Sequence, residues 1–235
     1  MKKELAVCLV SGGMDSCVSA AMAGQKYRLA LLHVNYGQLT EKRELQAFHD
    51  IADHFRVPEN LRLAVDVGHF KKIGGSSLTD RSLEIPRAEL GRKSIPSTYV
   101  PFRNANILAL AVSWAEVIGG RHIYIGAMEE DSSGYPDCRE EFYQAFNRVI
   151  RAGTKPETRI AVETPLMHLT KAEVVRWGMK NGAPFHLTWS CYKSDGPKAC
   201  GVCDSCALRM RGFQQAGYQD PIEYKKRGTT AHSVR

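Results

Sequence analysis

The sequence predicts an α/β fold in which five parallel strands form a doubly wound, Rossmann-like sheet. The first observation is the order of the elements, since short apolar runs alternate with stretches of helical spacing. The second is that no hairpin turn signals separate those runs, which favours crossover connections and therefore parallel strands. The third is the length of 235 residues, which suits one domain with a small appendage.

The first half of the chain contains three of the predicted strands. They are the apolar runs 5–10, 28–35 and 61–67, with helices predicted at 17–25 and 39–55. In the second helix, Leu45, Phe48, His49, Ala52 and Phe55 can share one face, and Pro58 stops the helix. This alternation predicts successive βαβ units.

The second half resumes the pattern after an irregular stretch. Residues 68–96 are rich in Gly, Ser and basic residues and lack periodicity. We interpret them as a lid over a functional site, the alternative being a mobile insertion. Helices are predicted at 103–118, 139–151, 170–181 and 204–216, and strands at 121–126 and 160–164. The apolar face of the first of these helices is predicted to carry Ile107, Leu110, Ala111 and Trp114.

The organisation we predict has three parts. A nucleotide-binding type of α/β domain covers residues 1–186, and a segment rich in cysteine with a terminal helix covers 187–217. A polar tail follows at 218–235, and we expect it to fray.

Composition and charge narrow the classes of function. No apolar run approaches the ~18–20 residues that cross a bilayer, and no signal peptide is evident, so we expect a cytoplasmic protein without a membrane partner. The formal net charge of +7 favours anionic partners such as nucleotides, phosphates or RNA without choosing among them.

A glycine-rich loop lies where the first strand meets the first helix. The run Ser11-Gly-Gly-Met-Asp-Ser16 offers backbone N–H groups, two hydroxyls and a helix N-terminus, which together predict a phosphate site. It lacks the lysine of a Walker A motif. A carboxylate at Asp15 would repel phosphate unless a cation such as Mg²⁺ lay between them.

This loop resembles that of the PP-loop, or N-type, ATP pyrophosphatases, which cleave ATP between the α and β phosphates. The resemblance implies an adenine nucleotide alpha hydrolase-like fold and an ATP site at the loop. The implied ATP-binding residues are Leu9, Val10, Ser11, Gly12, Gly13, Met14, Asp15, Ser16, Cys17, Val18, Ser19 and Arg103.

Two basic residues are predicted to begin helices near the same site. Arg103 follows Val-Pro-Phe, and its guanidinium can clamp a phosphate. Lys171 follows Thr170, a predicted N-cap, and a lysine there opposes the helix dipole unless an anion is near. Asp15, Ser16, Arg103 and Lys171 are therefore our predicted catalytic residues, with the two cations neutralising developing charge.

Acidic residues follow the fourth predicted strand and should line the same crevice. Asp131, Tyr135 and Asp137 are our candidates for substrate binding, since one carboxylate can accept both donors of a guanine-like edge. The alternative is that Asp137 caps the next helix.

From this point the resemblance becomes narrower. The runs SGGMDS, VPFRN, GYPDCR, TPL and LTKAEV, together with the terminal cysteines, are similar to the 7-cyano-7-deazaguanine synthase family of queuosine biosynthesis. The resemblance implies an ATP-dependent carbon–nitrogen ligase that converts 7-carboxy-7-deazaguanine and ammonia into the nitrile. It further implies a homodimer, with no nucleic acid partner.

Four of the seven cysteines are clustered near the C-terminus. Their spacing, Cys191-x8-Cys200-x2-Cys203-x2-Cys206, suits one tetrahedral Zn²⁺ with a closed and therefore structural shell. An iron–sulfur cluster and a redox CxxC pair are the alternatives from spacing alone. The family resemblance implies zinc.

Two rival functions remain at this stage. One is a tRNA-modifying PP-loop enzyme of the thiolase or lysidine synthase type, which the positive charge permits. The other is a non-enzymatic module that binds zinc and a nucleotide.

Overall fold

A computed structural model of the chain describes residues 3–92, 94–129 and 134–225. Its centre is one five-stranded sheet in the order β3-β2-β1-β4-β5, in which every neighbouring pair is parallel. The strands are β1 Leu5–Leu9, β2 Arg28–Asn35, β3 Arg62–Asp66, β4 His122–Tyr124 and β5 Ala161–Glu163. The predicted doubly wound fold is confirmed, because the order reverses on either side of β1.

Seven α-helices accompany the sheet within the described residues. They are α1 Met14–Lys26, α2 Glu41–His54, α3 His69–Ile73, α4 Arg103–Ile118, α5 Glu140–Gly153, α6 Lys171–Lys180 and α7 Asp204–Ala216. The predicted bounds of α4 and α7 are confirmed. None of these helices is long and apolar enough to span a membrane.

The sheet is buried because its central strands are apolar on both faces. From Ala6 to Val10, and from Ala30 to Leu32, every residue is buried. Strands covered on both faces read as continuous apolar runs, which is why the sequence pattern located them.

The predicted helix faces are partly wrong. In α4 the buried positions are Asn104, Ala105, Leu108, Ala111 and Ala115, whereas Ile107, Leu110 and Trp114 stay partly exposed. In α2 the buried positions are Ala47, Phe48, Ile51 and Ala52. Small residues let a helix lie close to a sheet, so the buried side of each helix combines alanines with one or two large residues, Leu108 in α4 and Phe48 and Ile51 in α2.

The irregular stretch 68–96 contains one short helix, α3, and is anchored in several places. Ser76, Ser77 and Leu78 are buried, and the backbone N–H of Ala88 donates to the carbonyl of Val202 at 2.9 Å. Arg92 forms an ion pair with Asp204 at 3.3 Å. The stretch therefore packs on the cysteine-rich segment, and its motion as a lid stays a prediction.

The prediction of a frayed tail is wrong for residues 218–225. Asp220 accepts two hydrogen bonds from the buried Arg209, at 2.8 and 2.9 Å, and a third from the Tyr224 hydroxyl. Tyr224 also forms a β-bridge with Ala199. Arg209 is 1% exposed, and a buried guanidinium needs a counter-ion. The polar composition of the tail gives no indication that it supplies this counter-ion.

Candidate functional site

A cleft of about 260 Å³ opens at the carboxyl ends of β1, β2 and β4. Ligands of open α/β sheets bind at this edge, where the strand order reverses. Its wall combines the loop after β1, the end of β2, the turn after β4, the start of α4 and the cysteine-rich segment. Those parts supply Ser11, Gly13, Asp15, Ser16, Val34, Tyr36, Arg103, Asn104, Gly126, Trp189, Ser190 and Tyr192, among others, and the wall also includes Glu44 of α2 and Cys138, which lies just before α5.

Internal hydrogen bonds hold the glycine loop in shape. The Ser16 hydroxyl accepts from the backbone N–H of Ser11 at 3.2 Å and donates to the carbonyl of Gly13 at 2.9 Å. Gly12 has a φ of +91°, and a Cβ on it would lie 2.7 Å from the carbonyl oxygen of Glu44. Only glycine fits at that position, because both the dihedral angle and the close approach exclude a side chain.

Helix α1 begins at Met14, three residues earlier than the predicted 17. Asp15 and Ser16 therefore lie in its first turn, and its N-cap, Gly13, makes no side-chain capping bond. The first N–H groups of a helix have no partner within the helix, so an uncapped start facing a cleft suits an anion.

The predicted ATP-binding residues divide into two groups. Leu9, Val10, Ser11, Gly13, Asp15, Ser16 and Arg103 line the cleft, but Gly12, Met14, Cys17, Val18 and Ser19 do not. Met14, Cys17 and Val18 are buried in the core instead, because the early start of α1 turns them toward the sheet and α6. Gly12 supports the loop from behind by accepting the Trp189 N–H at 2.7 Å.

Asp15 and Lys171 are brought together as an ion pair. The ammonium of Lys171 donates to both carboxylate oxygens of Asp15 at 2.8 and 2.9 Å, and the Lys171 side chain is 5% exposed. Two glycines leave room for this pair. A Cβ on Gly212 would lie 2.3 Å from Lys171 Cγ, and a Cβ on Gly126 would lie 2.6 Å from the Asp15 backbone, so a side chain at either position would displace one member of the pair. Lys171 itself does not line the cleft.

Arg103 reaches the cleft from the first turn of α4. Its guanidinium lies over the Tyr36 ring at 5.2 Å and donates to the Tyr36 hydroxyl at 3.3 Å. Burial alone would lower the pKa of Arg103, but electrostatic interactions with Tyr36, Cys138 and Asp137 outweigh it and hold that pKa above its usual value. The residue before it, Phe102, adopts the left-handed region with φ +56°, which side chains rarely occupy outside sites that require it.

Asp137 caps a helix, but a different one from the predicted alternative. Its carboxylate accepts the backbone N–H of Asn104 at 2.9 Å, so it lies at the start of α4 and makes no side-chain cap for α5. It is 3% exposed and is not part of the cleft wall. Tyr135 is also outside the wall and bonds the Thr98 hydroxyl at 2.7 Å. Asp131 lies outside the described residues.

Cys138 faces the cleft as a neutral thiol. The side-chain amide of Asn104 donates to its sulfur at 3.3 Å. Burial raises the pKa of Cys138 to about 11, and the positive charge of Arg103 offsets only part of that effect. A thiol with this pKa is a poor nucleophile near neutral pH.

Sequence reasoning missed several residues of the cleft wall, namely Glu44, Trp189, Ser190 and Tyr192. Glu44 accepts hydrogen bonds from Thr40 and Gln38, and burial raises its pKa. Tyr36 follows the end of β2, a position that points to the cleft in this fold. No sequence motif marks Trp189, Ser190 or Tyr192 as part of a site. They line the cleft only because the cysteine-rich segment folds back against the glycine loop.

The four clustered cysteines meet as predicted. Their sulfurs lie within 4.8 Å of one another, a spacing compatible with a metal ion. Backbone N–H groups of Ser194 and Cys200 donate to the sulfur of Cys191 at 3.3 Å. Hydrogen bonds from Cys203 and Cys206 lower the pKa of Cys191, whereas their own pKa values are raised. Four such thiols ionise together only beside a cation, so the donor set fits a tetrahedral metal.

A parallel, doubly wound sheet with a glycine–serine loop at its switch point defines the class of α/β proteins in which the start of the first helix can receive an anion. The chain belongs to the family described as queuosine biosynthesis protein QueC, whose model matches residues 5–217.

Named relatives agree with this membership. A protein of Chlorobium phaeobacteroides named 7-cyano-7-deazaguanine synthase is 61% identical over 223 residues, which are 94% of this chain and 97% of the relative. A protein of the same name from Chlorobaculum tepidum is 58% identical over the same shares. An NMN synthetase structure from Francisella tularensis is similar at a TM-score of 0.44 and 13% identity, over 93% of this chain and 79% of its own; the fold assignment here depends on the strand order instead.

Proposed function

We propose that the protein is an ATP-dependent ligase that converts 7-carboxy-7-deazaguanine and ammonia into 7-cyano-7-deazaguanine, the product that the name of its relatives gives. One observation of geometry carries the proposal. A single cleft joins the glycine loop after β1 to the turn after β4 and the start of α4, so a nucleotide phosphate and an acceptor substrate can meet there.

The reaction needs activation, since a carboxylate oxygen is a poor leaving group. Attack of the substrate carboxylate on the α-phosphorus of ATP would form an acyl-adenylate and release pyrophosphate. Ammonia would then displace AMP and leave an amide. A second adenylation, at the amide oxygen, would let loss of AMP and two protons form the nitrile. Such nucleotidyl transfer depends mostly on positioning and neutralisation of charge.

The glycine loop is the proposed phosphate cradle. Ser11, Gly13 and Ser16 line the cleft beside the uncapped start of α1. Arg103 would neutralise charge on the transferred group from the opposite wall, since its guanidinium is half-buried and points into the same cleft. Buried cations stabilise developing anions more than exposed ones do.

Asp15 would hold Mg²⁺ bound to the nucleotide, because its carboxylate faces the cleft and keeps free lone pairs beside the Lys171 ammonium. Mg²⁺ would neutralise phosphate charge when bound. Lys171 contacts Asp15 and not the cleft, so we propose that it orients that carboxylate. This differs from the predicted role of Lys171, which was to neutralise developing charge.

Recognition of the deazaguanine edge by Asp131 stays a prediction. For Asp137 we propose a positioning role, because its carboxylate is committed to the start of α4 and thereby fixes Asn104 and Arg103. Tyr36 and Tyr192 present aromatic surfaces in the cleft against which a flat base can stack.

We propose structural Zn²⁺ for Cys191, Cys200, Cys203 and Cys206. Four sulfur ligands leave no open position, so the metal would stabilise the segment without taking part in the chemistry. The same commitment disfavours a thiolase, which needs cysteines free to carry sulfur. A homodimer remains a prediction of the family resemblance, and uptake of free ammonia and the cytoplasmic location remain predictions from the sequence.

The direct test incubates the protein with 7-carboxy-7-deazaguanine, ATP, Mg²⁺ and ammonium, and measures products by mass spectrometry. The expected products are AMP, pyrophosphate and the nitrile. Formation of ADP would require a different activation chemistry. Tight binding of tRNA with a steep salt dependence and no nitrile would favour the RNA-modifying alternative, and no ATP turnover at all would favour a binding module.

A further inference from the structure

The Ser190 hydroxyl is buried but has no hydrogen-bond partner among the described residues. It belongs to a small group of buried side-chain atoms with this property, and it also lines the cleft. A buried polar group without a partner is costly, so native proteins retain one where a ligand or water completes it. Ser190 lies on the cysteine-rich segment, directly before Cys191.

The position of Ser190 relates it to the glycine loop. A Cβ built on Gly13 would lie 3.4 Å from the Ser11 hydroxyl oxygen and 3.8 Å from that of Ser190. The two hydroxyls therefore flank the N-cap of α1. A ligand atom in front of Gly13 would meet both of them together with the first N–H groups of the helix.

Neighbouring contacts fix the backbone that carries Ser190. The N–H of Trp189 donates to the carbonyl of Gly12 at 2.7 Å, and the Trp189 indole N–H donates to the carbonyl of Ser194 at 2.9 Å. The Arg43 guanidinium covers the Trp189 ring at 4.7 Å. Ser190 is thus held in place before any ligand arrives, which is a requirement for a hydrogen bond that contributes affinity.

From this geometry we infer that the Ser190 hydroxyl donates a hydrogen bond to a phosphate oxygen of the nucleotide bound at the glycine loop. The inference rests on the proposed function, since it assigns a further residue to the same ATP site. Phosphate oxygens accept only, and the two hydroxyls and the first N–H groups of α1 can all donate to one, whereas the backbone carbonyl oxygen of Trp189, also 3.8 Å from the same Cβ position, cannot. The cysteine-rich segment would then contribute directly to nucleotide binding, beyond any structural role of its metal.

The test is Ser190→Ala, with the dissociation constant of ATP–Mg²⁺ measured by calorimetry. A hydrogen bond to a charged group predicts about a 10- to 100-fold weaker affinity. The ligand-free variant should melt at the same temperature as the parent or higher, because the change removes an unpaired buried group. Zinc content per chain should also stay unchanged. Ser113→Ala, on the exposed side of α4, is the matched control.

Each outcome is informative. If the parent protein binds ATP–Mg²⁺ and Ser190→Ala binds it within about twofold as well, a difference below ~0.5 kcal/mol, the hydroxyl contacts only water and the inference is overturned while the proposed function stands. If affinity falls together with the melting temperature or the zinc content, the role is structural and the inference is again overturned. If the parent itself does not bind ATP–Mg²⁺, the proposed function and the inference both fail.

Discussion

The starts of helices α4 and α6 each carry a basic residue, and the structure treats them differently. Arg103 lies in the cleft wall with its guanidinium over a tyrosine ring. Lys171 is nearly buried beneath the wall and paired with Asp15. The same pattern, a cation in a first helical turn, therefore gives one group that can meet a ligand and one that already has a carboxylate.

Capping separates these two helices from α1. The start of α6 is satisfied by its own capping box of Thr170 and Glu173, and at the start of α4 the backbone N–H of Asn104 donates to the Asp137 carboxylate. The start of α1 has no side-chain cap. A basic residue in a first turn is thus a weaker sign of a phosphate site than an N-terminus without a protein acceptor.

The largest expected effect tests whether Arg103, unlike Lys171, acts on the bound ligand. Arg103→Ala should lower the rate of pyrophosphate release about 10²–10³-fold, the effect of removing one preorganised charge-stabilising donor. Its thermal stability should change little. Arg148→Ala, on the exposed side of α5, controls for the loss of a positive charge. A loss of stability comparable to the loss of rate would show that Arg103 is structural.

A substitution at Gly126 tests how closely the turn after β4 packs against Asp15, the partner of Lys171. A Cβ there would lie 2.6 Å from the Asp15 backbone, so Gly126→Ala must displace the start of α1. We expect a loss of about 1–3 kcal/mol in the free energy of unfolding, with weaker ATP binding. Gly153→Ala is the control, because a Cβ there meets nothing within 4 Å. Equal behaviour of the two variants would contradict the close approach.

Lys171 should act mainly on stability. Lys171→Met removes the partner of Asp15, whose side chain is 31% exposed and stays partly hydrated. We therefore expect the free energy of unfolding, measured with urea, to fall by about 1–2 kcal/mol, the lower part of the range for leaving a polar group without its partner. Adding Asp15→Asn should return part of it, because the unpaired carboxylate is then gone. Losses that simply add would show that the two residues are not coupled.

Cys138 should give the smallest effect on turnover. Its pKa of about 11 keeps the thiol neutral near pH 7, and Cys138→Ala should change the rate by less than about tenfold. A raised pKa favours the folded state below the ordinary thiol pKa, and that stabilisation is lost as the pH rises through about 11. Alkylation of this residue, followed by peptide mass spectrometry, should accelerate only in that range. Rapid alkylation at pH 7 would contradict the assignment.

Sequence reasoning located the fold and the two motifs that are local in the chain. The strands were visible because each is a continuous apolar run, and the glycine loop and the cysteine cluster because their residues are close in sequence. The capping box at Thr170 was predicted for the same reason and is confirmed. Local patterns are sufficient where the interacting groups are near neighbours.

The parts that sequence reasoning did not find depend on distant contacts. Trp189 reaches Gly12 across most of the chain, and Asp137 reaches the start of α4 and not the helix that follows it. Nothing in the spacing of Lys171 indicates that its partner is Asp15, which lies 156 residues away. Such pairings depend on how whole helices and strands pack together. Contacts between distant residues leave no periodic pattern in a single sequence.

The pairing of Arg209 with Asp220 has a practical consequence for anyone shortening the chain. A version ending at Gly217 would look conservative, since it keeps every cysteine and all seven helices. It would nevertheless remove Asp220, the carboxylate to which the Arg209 guanidinium donates, and leave that guanidinium, which is 1% exposed, without a counter-ion among the described residues. Removing one member of a buried pair typically costs about 3–5 kcal/mol, so affinity tags and truncations belong after Lys225, where the bridge to Ala199 is complete.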